Sequence, residues 1–220
     1  MIAIVDYDAG NLTSVRRALE HLGVEARLVA TGDALREAAG RPDARIIFPG
    51  VGHAAAAMET LRERGLAEAL RSAFNRGVPV LGICLGAQII LSHSEEGDTS
   101  CLDLLPGACP RFEPEDASLK VPHMGWNEIE RVRYHPVLDG VAPGDAFYFV
   151  HSYFPQPARA GDVLATCDYG ITFPAVIGHG NLVATQFHPE KSGRVGLSLL
   201  RRFAAWDGTN GPKGKEESDA

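Results

Sequence analysis

The stretch that decides the fold is Val78-Pro79-Val80-Leu81-Gly82-Ile83-Cys84-Leu85-Gly86-Ala87-Gln88. Its apolar first part predicts a buried strand over 78–83, and the pattern from 85 to 91 predicts a helix. Gly82, Cys84 and Gly86 match the G-x-(Ser/Cys)-x-G turn that presents a nucleophile between a strand and a helix. Glycine suits a turn that is too tight for a Cβ atom, and backbone N–H groups at the start of the helix can hold an oxyanion. The alternative for Cys84 is a small buried apolar side chain, which is what most free cysteines are.

Upstream of this stretch, short apolar runs alternate with helical patterns and are joined by short turns. The predicted strands cover 2–5, 24–29 and 45–48, and the predicted helices cover 12–22, 33–39 and 58–70, the last interrupted near Gly65. Strands that alternate with helices in this way predict an α/β fold with a mostly parallel sheet flanked by helices on both faces.

Strands dominate the second half of the chain, up to a closing helix over 195–203. The predicted strands are 120–121, 146–150, 163–167, 175–177 and 182–187. Turn residues separate these strands, so we expect an antiparallel region attached to the first sheet. Residues 207–220 are polar and rich in Gly, Lys and Glu, which predicts a disordered tail after a single domain of residues 1–206.

Composition excludes several classes of protein. The 220 residues include 21 basic and 28 acidic side chains, a net charge of −7, which argues against a nucleic-acid partner. The longest uncharged stretch, between Arg76 and Glu95, contains proline and glycines and does not predict a membrane span. The chain opens without a secretory signal and has no CxxC pair among its four cysteines. We therefore expect a cytoplasmic protein with free thiols and no metal site.

A thiol nucleophile needs a base, and the base needs a group that orients it. His188 ends the apolar run 182–187 and is followed by Pro189 and Glu190. Residues i and i+2 of an extended chain point to the same side, so the Glu190 carboxylate can reach the His188 imidazole. The alternative is a histidine at a strand end that is paired with a loop glutamate for local charge balance.

Two further segments have a functional and an ordinary interpretation. Pro49-Gly50-Val51-Gly52 follows a predicted strand, and its glycines allow close approach of the backbone to a ligand, as in an oxyanion loop. The same four residues also suit a simple turn. Lys120-Val121-Pro122-His123-Met124-Gly125-Trp126-Asn127 mixes basic, aromatic and amide groups, which suits a docking loop or a β-rich segment with a core tryptophan.

Taken together, these segments resemble the class I glutamine amidotransferases, and more narrowly the glutaminase subunits of imidazole glycerol phosphate synthase, an enzyme of histidine biosynthesis. The resemblance runs from Ile2 to about Phe203. It is carried by Asp6-Tyr7 with Gly10-Asn11-Leu12, Pro49-Gly50-Val51-Gly52, Gly82-Ile83-Cys84-Leu85-Gly86-Ala87-Gln88, Ser94-Glu95-Glu96-Gly97, Val121-Pro122-His123-Met124-Gly125-Trp126-Asn127, Phe149-Val150-His151-Ser152-Tyr153 and Gln186-Phe187-His188-Pro189-Glu190-Lys191-Ser192.

The resemblance implies a flavodoxin-like amidotransferase fold and the hydrolysis of L-glutamine to glutamate and ammonia by a Cys84–His188–Glu190 triad. It implies no cofactor. The oxyanion and substrate would be bound by Gly50, Val51, Gly52, Leu85 and Gln88. The ammonia would pass to a (β/α)8 cyclase subunit, which makes imidazole glycerol phosphate and AICAR. Asn11, Trp126, Tyr153 and Lys191 would face that partner or line the tunnel.

The sequence departs from the family pattern at three places. Asp8 stands where the family usually has glycine after Asp-Tyr, Cys101-Leu102-Asp103-Leu104 replaces a typical Gly-Leu-Gly-Leu, and His53-Ala54 replaces Phe-Gly. None of the departures removes a triad residue. They leave open a paralogue that feeds ammonia to a related synthase. Two further alternatives are a stand-alone cysteine hydrolase or peptidase of the same fold and a regulatory or scaffold subunit with a vestigial nucleophile turn.

Overall fold

A computed structural model describes residues 1–114, 116 and 118–209 of the chain. The helices are α1 (Leu12–His21), α2 (Gly32–Ala39), α3 (Ala54–Glu63), α4 (Leu66–Asn75), α5 (Leu85–Ile89) and α6 (Gly193–Ala205). The strands are β1 (Ile2–Val5), β2 (Ala26–Val29), β3 (Arg45–Gly50), β4 (Val80–Cys84), β5 (His93–Ser94), β6 (Thr99–Ser100), β7 (Gly107–Cys109), β8 (His123–Glu128), β9 (Glu130–Arg131), β10 (Ala146–His151), β11 (Gln156–Pro157), β12 (Val163–Asp168), β13 (Thr172–His179) and β14 (Leu182–Thr185).

The central sheet has eight strands in the order β2-β1-β3-β4-β14-β13-β12-β9. The first five pair in parallel and the last three continue the sheet in antiparallel pairing. The predicted parallel sheet with an attached antiparallel region is thus confirmed. β14, although late in the chain, is inserted beside β4, and this brings the two halves of the sequence together.

Alternate residues of β1 enter different cores, as expected for a strand with a period of two. Ala3 and Val5 pack with apolar residues of α2, α3, α4 and α5 on one face of the sheet. Ile2 and Ile4 pack with α1, α6 and the inward residues of β10 on the other face. Both faces are therefore buried, which explains why β1 reads as a continuous apolar run and not as an alternating one.

Two small sheets complete the described part of the chain. β8 and β10 form an antiparallel pair of their own, and β5, β6, β7 and β11 form a four-stranded sheet. The predicted strand 120–121 is wrong, because β8 begins only at His123. Pro122 has no N–H group to donate to a ladder, so pairing with β10 starts after it. Of the predicted tail, residues 207–209 follow α6, and 210–220 lie outside the described residues.

The turn between β4 and α5 requires glycine on both sides of Cys84. A Cβ atom at Gly86 would lie 1.9 Å from the carbonyl oxygen of Phe48 in β3, and one at Gly82 would lie 3.0 Å from Ala184 Cβ in β14. The contact at Gly86 is with backbone, which cannot move aside by changing rotamer. Because Gly82 and Gly86 have no side chain, the start of α5 can lie directly against the carboxyl end of the sheet.

The substitution Gly86→Ala is expected to lower the free energy of unfolding by about 1–3 kcal/mol or more, because the added methyl overlaps the Phe48 carbonyl. Urea unfolding followed by circular dichroism measures this. Gly161→Ala is the matched control, since no atom lies within 4 Å of a Cβ built there. Equal stability of the two variants would contradict the close-approach argument.

Candidate active site

Cys84 lies at the carboxyl end of β4, directly before α5. Its φ of 53° and ψ of −109° place a non-glycine residue in a sparsely populated region of backbone space. Strain of this kind is common at functional sites, where the surrounding structure holds it in place. The side chain is only 6% exposed. Gly50, the last residue of β3, is the register partner of Cys84 on the neighbouring strand.

His188 and Glu190 follow β14 and form a buried pair. The His188 amide donates to the carbonyl of Tyr148 over 2.9 Å, which anchors the segment to β10. His188 Nδ1 lies 2.7 Å from Glu190 Oε1, and both side chains are wholly inaccessible to solvent. Nδ1–H therefore donates to the carboxylate, because a carboxylate oxygen only accepts. The interaction expected from the i, i+2 spacing is present.

The parallel pairing of β14 with β4 brings this pair to Cys84. Thr185 is the register partner of Ile83, and the next side chain, Gln186, places Nε2 3.8 Å from Cys84 Sγ. Burial alone would lower the pKa of His188. Interaction with the Cys84 sulfur, and then the hydrogen bond to Glu190 and its charge, outweigh burial and raise that pKa to about 9. Both the sulfur and the carboxylate thus favour the protonated form of the imidazole.

Asn11 also belongs to this cluster. Its Nδ2 donates to Glu190 Oε1 and lies 3.3 Å from His188 Nδ1. Its φ of 97° is in the left-handed region that asparagine tolerates, and the residue precedes α1. The side chain predicted to face a partner is therefore placed behind the His188–Glu190 pair, where it holds the carboxylate.

A pocket of about 400 Å³ opens on Cys84. Four predicted residues line it, namely Val51, Gly52, Leu85 and Gln88. Tyr153, predicted to face a partner, lines it as well. Gly50 lies behind the wall, where a Cβ atom would come within 2.0 Å of the buried Tyr7 hydroxyl. The volume is within the range of pockets that hold small molecules.

Several pocket residues escaped the sequence-based interpretation. Glu96 contributes a carboxylate, and one of its oxygens accepts from the Ala54 amide over 2.7 Å. Pro122, Val150, His151 and Ser152 complete the wall. Glu96 and His151 do lie in stretches that carry the resemblance, so motif membership was an available indication of their importance. Their position around Cys84 depends on long-range contacts.

A larger cleft of about 840 Å³ lies between β8, β9 and β12 and contains Cys167. Burial, and then the charge of Asp168, raises the pKa of Cys167 to about 12, which keeps that thiol protonated. Burial likewise raises the pKa of Cys101 to about 11, and it raises the pKa of Cys109. Among the described residues all four cysteines are unpaired, and Cys84 is the one placed beside a histidine–carboxylate pair. The smaller pocket is therefore the candidate active site.

The family model for class-I glutamine amidotransferases matches residues 3–205 of this chain. The chain belongs to the class I glutamine amidotransferases, a family of enzymes. It is 53% identical over 208 residues to the imidazole glycerol phosphate synthase subunit HisH of Desulfovibrio desulfuricans, with 92% of this chain and 93% of that protein covered. Identity to the same-named protein of Nitratidesulfovibrio vulgaris (strain DP4) is 50%, with 92% and 95% covered. Within the amidotransferases, the chain therefore belongs to the HisH family.

Solved structures support the amidotransferase fold. A crystal structure of glutamine amidotransferase aligns with a TM-score of 0.69, covering 95% of this chain and 100% of that one, at 23% sequence identity. No helix within the described residues is long and apolar enough to cross a membrane.

Two departures from the family's glycines are accommodated by aspartate at positive φ. Asp8 has φ 65° and Asp103 has φ 54°, a conformation that aspartate tolerates better than most residues. The Asp8 carboxylate pairs with Arg64, and the Asp103 carboxylate accepts from the Ser92 hydroxyl. The third departure, His53, accepts from the Ala55 amide through Nδ1 and caps α3. The side chains of Asp8, Asp103 and His53 are thus all held by local polar contacts.

The other two residues predicted to face a partner lie on the surface. Trp126 on β8 is 58% exposed, and its ring packs edge-on against Tyr148 of β10 at 6.0 Å between centroids. Lys191 Nζ lies 5.9 Å from the centre of the same Tyr148 ring. Met124, on the same side of β8, is 62% exposed. We call these four side chains the aromatic patch.

The substitution Glu190→Gln is expected to lower the pKa of His188 from about 9 towards its ordinary value, because the carboxylate charge that favours imidazolium is removed. An NMR titration of the His188 ring protons measures this. Asp139→Asn is the control, since Asp139 is an exposed carboxylate paired with Arg202. An unchanged His188 titration in Glu190→Gln would show that the pair is not electrostatically coupled.

Proposed function

We propose that this chain is the glutaminase subunit of an imidazole glycerol phosphate synthase. In this proposal it hydrolyses L-glutamine in the cytoplasm and passes the ammonia to a (β/α)8 cyclase subunit. The observation that carries the proposal is the buried His188–Glu190 pair set against Cys84 at the end of an open pocket. The names of the curated HisH relatives supply the biochemical context.

The reaction begins when His188 takes the proton of the Cys84 thiol and the resulting thiolate attacks the carboxamide carbon of glutamine. The C–S bond forms as the carbonyl electron pair moves onto oxygen. Backbone N–H groups of Leu85 and of the Gly50–Val51–Gly52 segment are the donors for this oxyanion, since they line or support the pocket beside the sulfur. One such donor contributes about 3 kcal/mol to lowering the barrier.

His188 then gives its proton to the departing nitrogen. The C–N bond breaks, ammonia leaves, and a γ-glutamyl thioester remains on Cys84. Water attacks the thioester with the now neutral His188 as general base, which releases glutamate and restores the thiolate–imidazolium pair. Glu190, held by Asn11, keeps His188 in the tautomer that presents Nε2 to the sulfur.

Glutamine also carries an ammonium and a carboxylate at its other end, and both need partners. The Glu96 carboxylate is suited to the α-ammonium group, because it lines the pocket with one oxygen still available beyond its contact to Ala54. Gln88 and Ser152 also line the pocket. Both contribute to substrate orientation.

The aromatic patch is proposed as part of the cyclase-facing surface. Met124 and Trp126 are large, exposed apolar side chains, and Trp126 packs against Tyr148; methionine, tryptophan and tyrosine are enriched at protein interfaces. The carbonyl of Tyr148, which belongs to this patch, accepts from the His188 amide, so a backbone hydrogen bond connects the patch to the catalytic base. A direct passage avoids protonation of ammonia in bulk water, where ammonium is not nucleophilic.

The proposal is tested by replacing Cys84 with Ala in the complex with a candidate cyclase. Glutamine-dependent synthesis is expected to fall about 10⁴-fold or more, because the nucleophile is lost, whereas synthesis from added ammonia continues. Cys167→Ala, which removes another buried thiol, is the control and leaves both rates near those of the unmodified chain. Unchanged glutamine-dependent synthesis in Cys84→Ala would contradict a catalytic triad and favour a vestigial one.

The same assay separates a stand-alone hydrolase from a subunit. We expect little glutaminase activity from the isolated chain, with the 49–52 loop reaching its active arrangement only on cyclase binding. Full glutaminase activity without any cyclase would contradict this gating, although it would leave the triad intact.

The substitution Trp126→Ala is expected to raise the dissociation constant of the cyclase complex by about 30-fold or more, since aromatic hot spots contribute about 2 kcal/mol or more. Isothermal titration calorimetry measures the constant. Tyr134→Ala, at an aromatic side chain that is 65% exposed outside the patch, is the matched control. Equal affinities for both variants would exclude the aromatic patch from the interface.

A further inference from the structure

Two histidines outside the triad form a buried pair that the reaction above does not use. His123 is 2% exposed and His151 is 5% exposed. Their ring nitrogens Nδ1 and Nε2 lie 3.0 Å apart. The rings of Phe149 and Tyr169 stack on His123, so the pair lies in an aromatic enclosure. A buried polar pair of this kind costs free energy unless all its hydrogen bonds are made.

The direction of each hydrogen bond in this pair follows from its two ends. His151 Nδ1 lies 2.9 Å from the Tyr153 carbonyl, which only accepts, so Nδ1 carries the proton and the neutral ring accepts at Nε2. His123 must then donate from Nδ1 and accept at Nε2, where Asn127 Nδ2 lies 3.5 Å away. The same Asn127 amide donates to the Asp168 carbonyl over 2.8 Å, which fixes its orientation.

The chain of hydrogen bonds continues from the Tyr153 carbonyl to the nucleophile. Gln88 Nε2 donates to that carbonyl over 2.8 Å and to Gln186 Oε1 over 3.0 Å. Since Gln186 presents its oxygen to Gln88, its Nε2–H₂ group is the one that points to Cys84 Sγ, at 3.8 Å. A reversed Gln186 amide would put a carbonyl oxygen against the sulfur and disfavour a thiolate.

We propose that His123 and His151 are positioning residues for glutamine hydrolysis, which act through the Tyr153 carbonyl, Gln88 and Gln186 to keep an N–H donor aimed at the Cys84 sulfur. We call this set the relay; it consists of Asn127, His123, His151, Gln88 and Gln186. Its effect on catalysis rests on the proposed function, whereas its effect on the Cys84 sulfur does not. His151 Nδ1 and Gln88 Nε2 both donate to the Tyr153 carbonyl and so fix its orientation. The fixed carbonyl in turn sets the orientation of the Gln88 amide, and through it that of the Gln186 amide.

The relay requires both histidines to be neutral, and their surroundings keep them so. Burial lowers the pKa of His123 to about 4. Burial, and then the charge of His123, lowers the pKa of His151 to about 3, with a smaller contribution of the same sign from His188. The neighbouring groups on β8, β10, β12 and β13 are the Asn127 amide, aromatic rings and the Asp168 backbone carbonyl. Proton uptake therefore does not disrupt the pair at neutral pH.

The experiment measures the pH dependence of Cys84 alkylation by iodoacetamide, with the Cys84 peptide quantified by mass spectrometry. Three variants break or restore the relay. His123→Leu removes both hydrogen bonds, whereas His123→Asn keeps a donor close to the position of Nδ1. Asn127→Asp is nearly isosteric and partly exposed, but its carboxylate can donate neither to His123 Nε2 nor to the Asp168 carbonyl. Gln156→Glu makes the same amide-to-carboxylate change at an exposed site and is the control.

We expect the midpoint for Cys84 alkylation to rise by about one pH unit in His123→Leu and Asn127→Asp, which is about a tenfold lower rate below the midpoint. The midpoint in His123→Asn should return towards that of the unmodified protein, and the midpoint in Gln156→Glu should equal it. In the cyclase complex, kcat for glutamine should fall with the same ranking while KM changes little. An unchanged midpoint in Asn127→Asp would overturn the relay. Failure of the unmodified complex to hydrolyse glutamine would instead contradict the proposed function, because alkylation requires no glutamine.

Discussion

The parallel hydrogen bonding of β14 to β4 is the interaction on which the site depends. Register pairs from Leu182 with Val80 to Thr185 with Ile83 bring the ends of both strands to one edge of the sheet. Cys84 is the last residue of β4, and Gln186, His188 and Glu190 follow β14, although about a hundred residues separate them from Cys84 in sequence. Open α/β sheets bind ligands at this carboxyl edge, so the position of the pocket agrees with a general property of the architecture.

Burial gives this arrangement its chemical character. The His188 and Glu190 side chains are wholly inaccessible, which strengthens their mutual interaction but makes each charge costly without a partner. Asn11 supplies a further donor to the carboxylate, and the Cys84 sulfur also favours the protonated imidazole. Burial lowers the pKa of His188, but Cys84 and Glu190 together raise it by more, so the protonated ring is favoured. The protonated ring is the form that can give a proton to the departing ammonia. Because water does not reach the His188–Glu190 pair, it does not weaken these interactions. Cys84 itself also lines the open pocket, where substrate can enter.

Local patterns predicted the parts of the fold and site that depend on nearby residues. The turn around Cys84 was readable because Gly82 and Gly86 surround it between a strand pattern and a helix pattern, and the His188–Glu190 pairing follows from i, i+2 geometry. The contact of Asn11 with Glu190, the place of Gln186 beside the sulfur and the His123–His151 pair were not readable from spacing. Each joins elements that are far apart in the chain, and only the sheet order brings them together. The strand predicted at 120–121 failed for a local reason, since Pro122 interrupts the ladder and pairing begins at His123.

Affinity labelling with a chloromethyl ketone analogue of glutamine tests most directly whether Cys84, His188 and Glu190 converge on one substrate pocket. Digestion and mass spectrometry of the labelled chain should find one equivalent of label on Cys84, with protection by excess glutamine and strong slowing in His188→Asn. The buried Cys101, Cys109 and Cys167 should remain unlabelled. Label spread over the other cysteines, or labelling of Cys84 that neither glutamine nor the loss of the imidazole affects, would contradict a shared catalytic pocket.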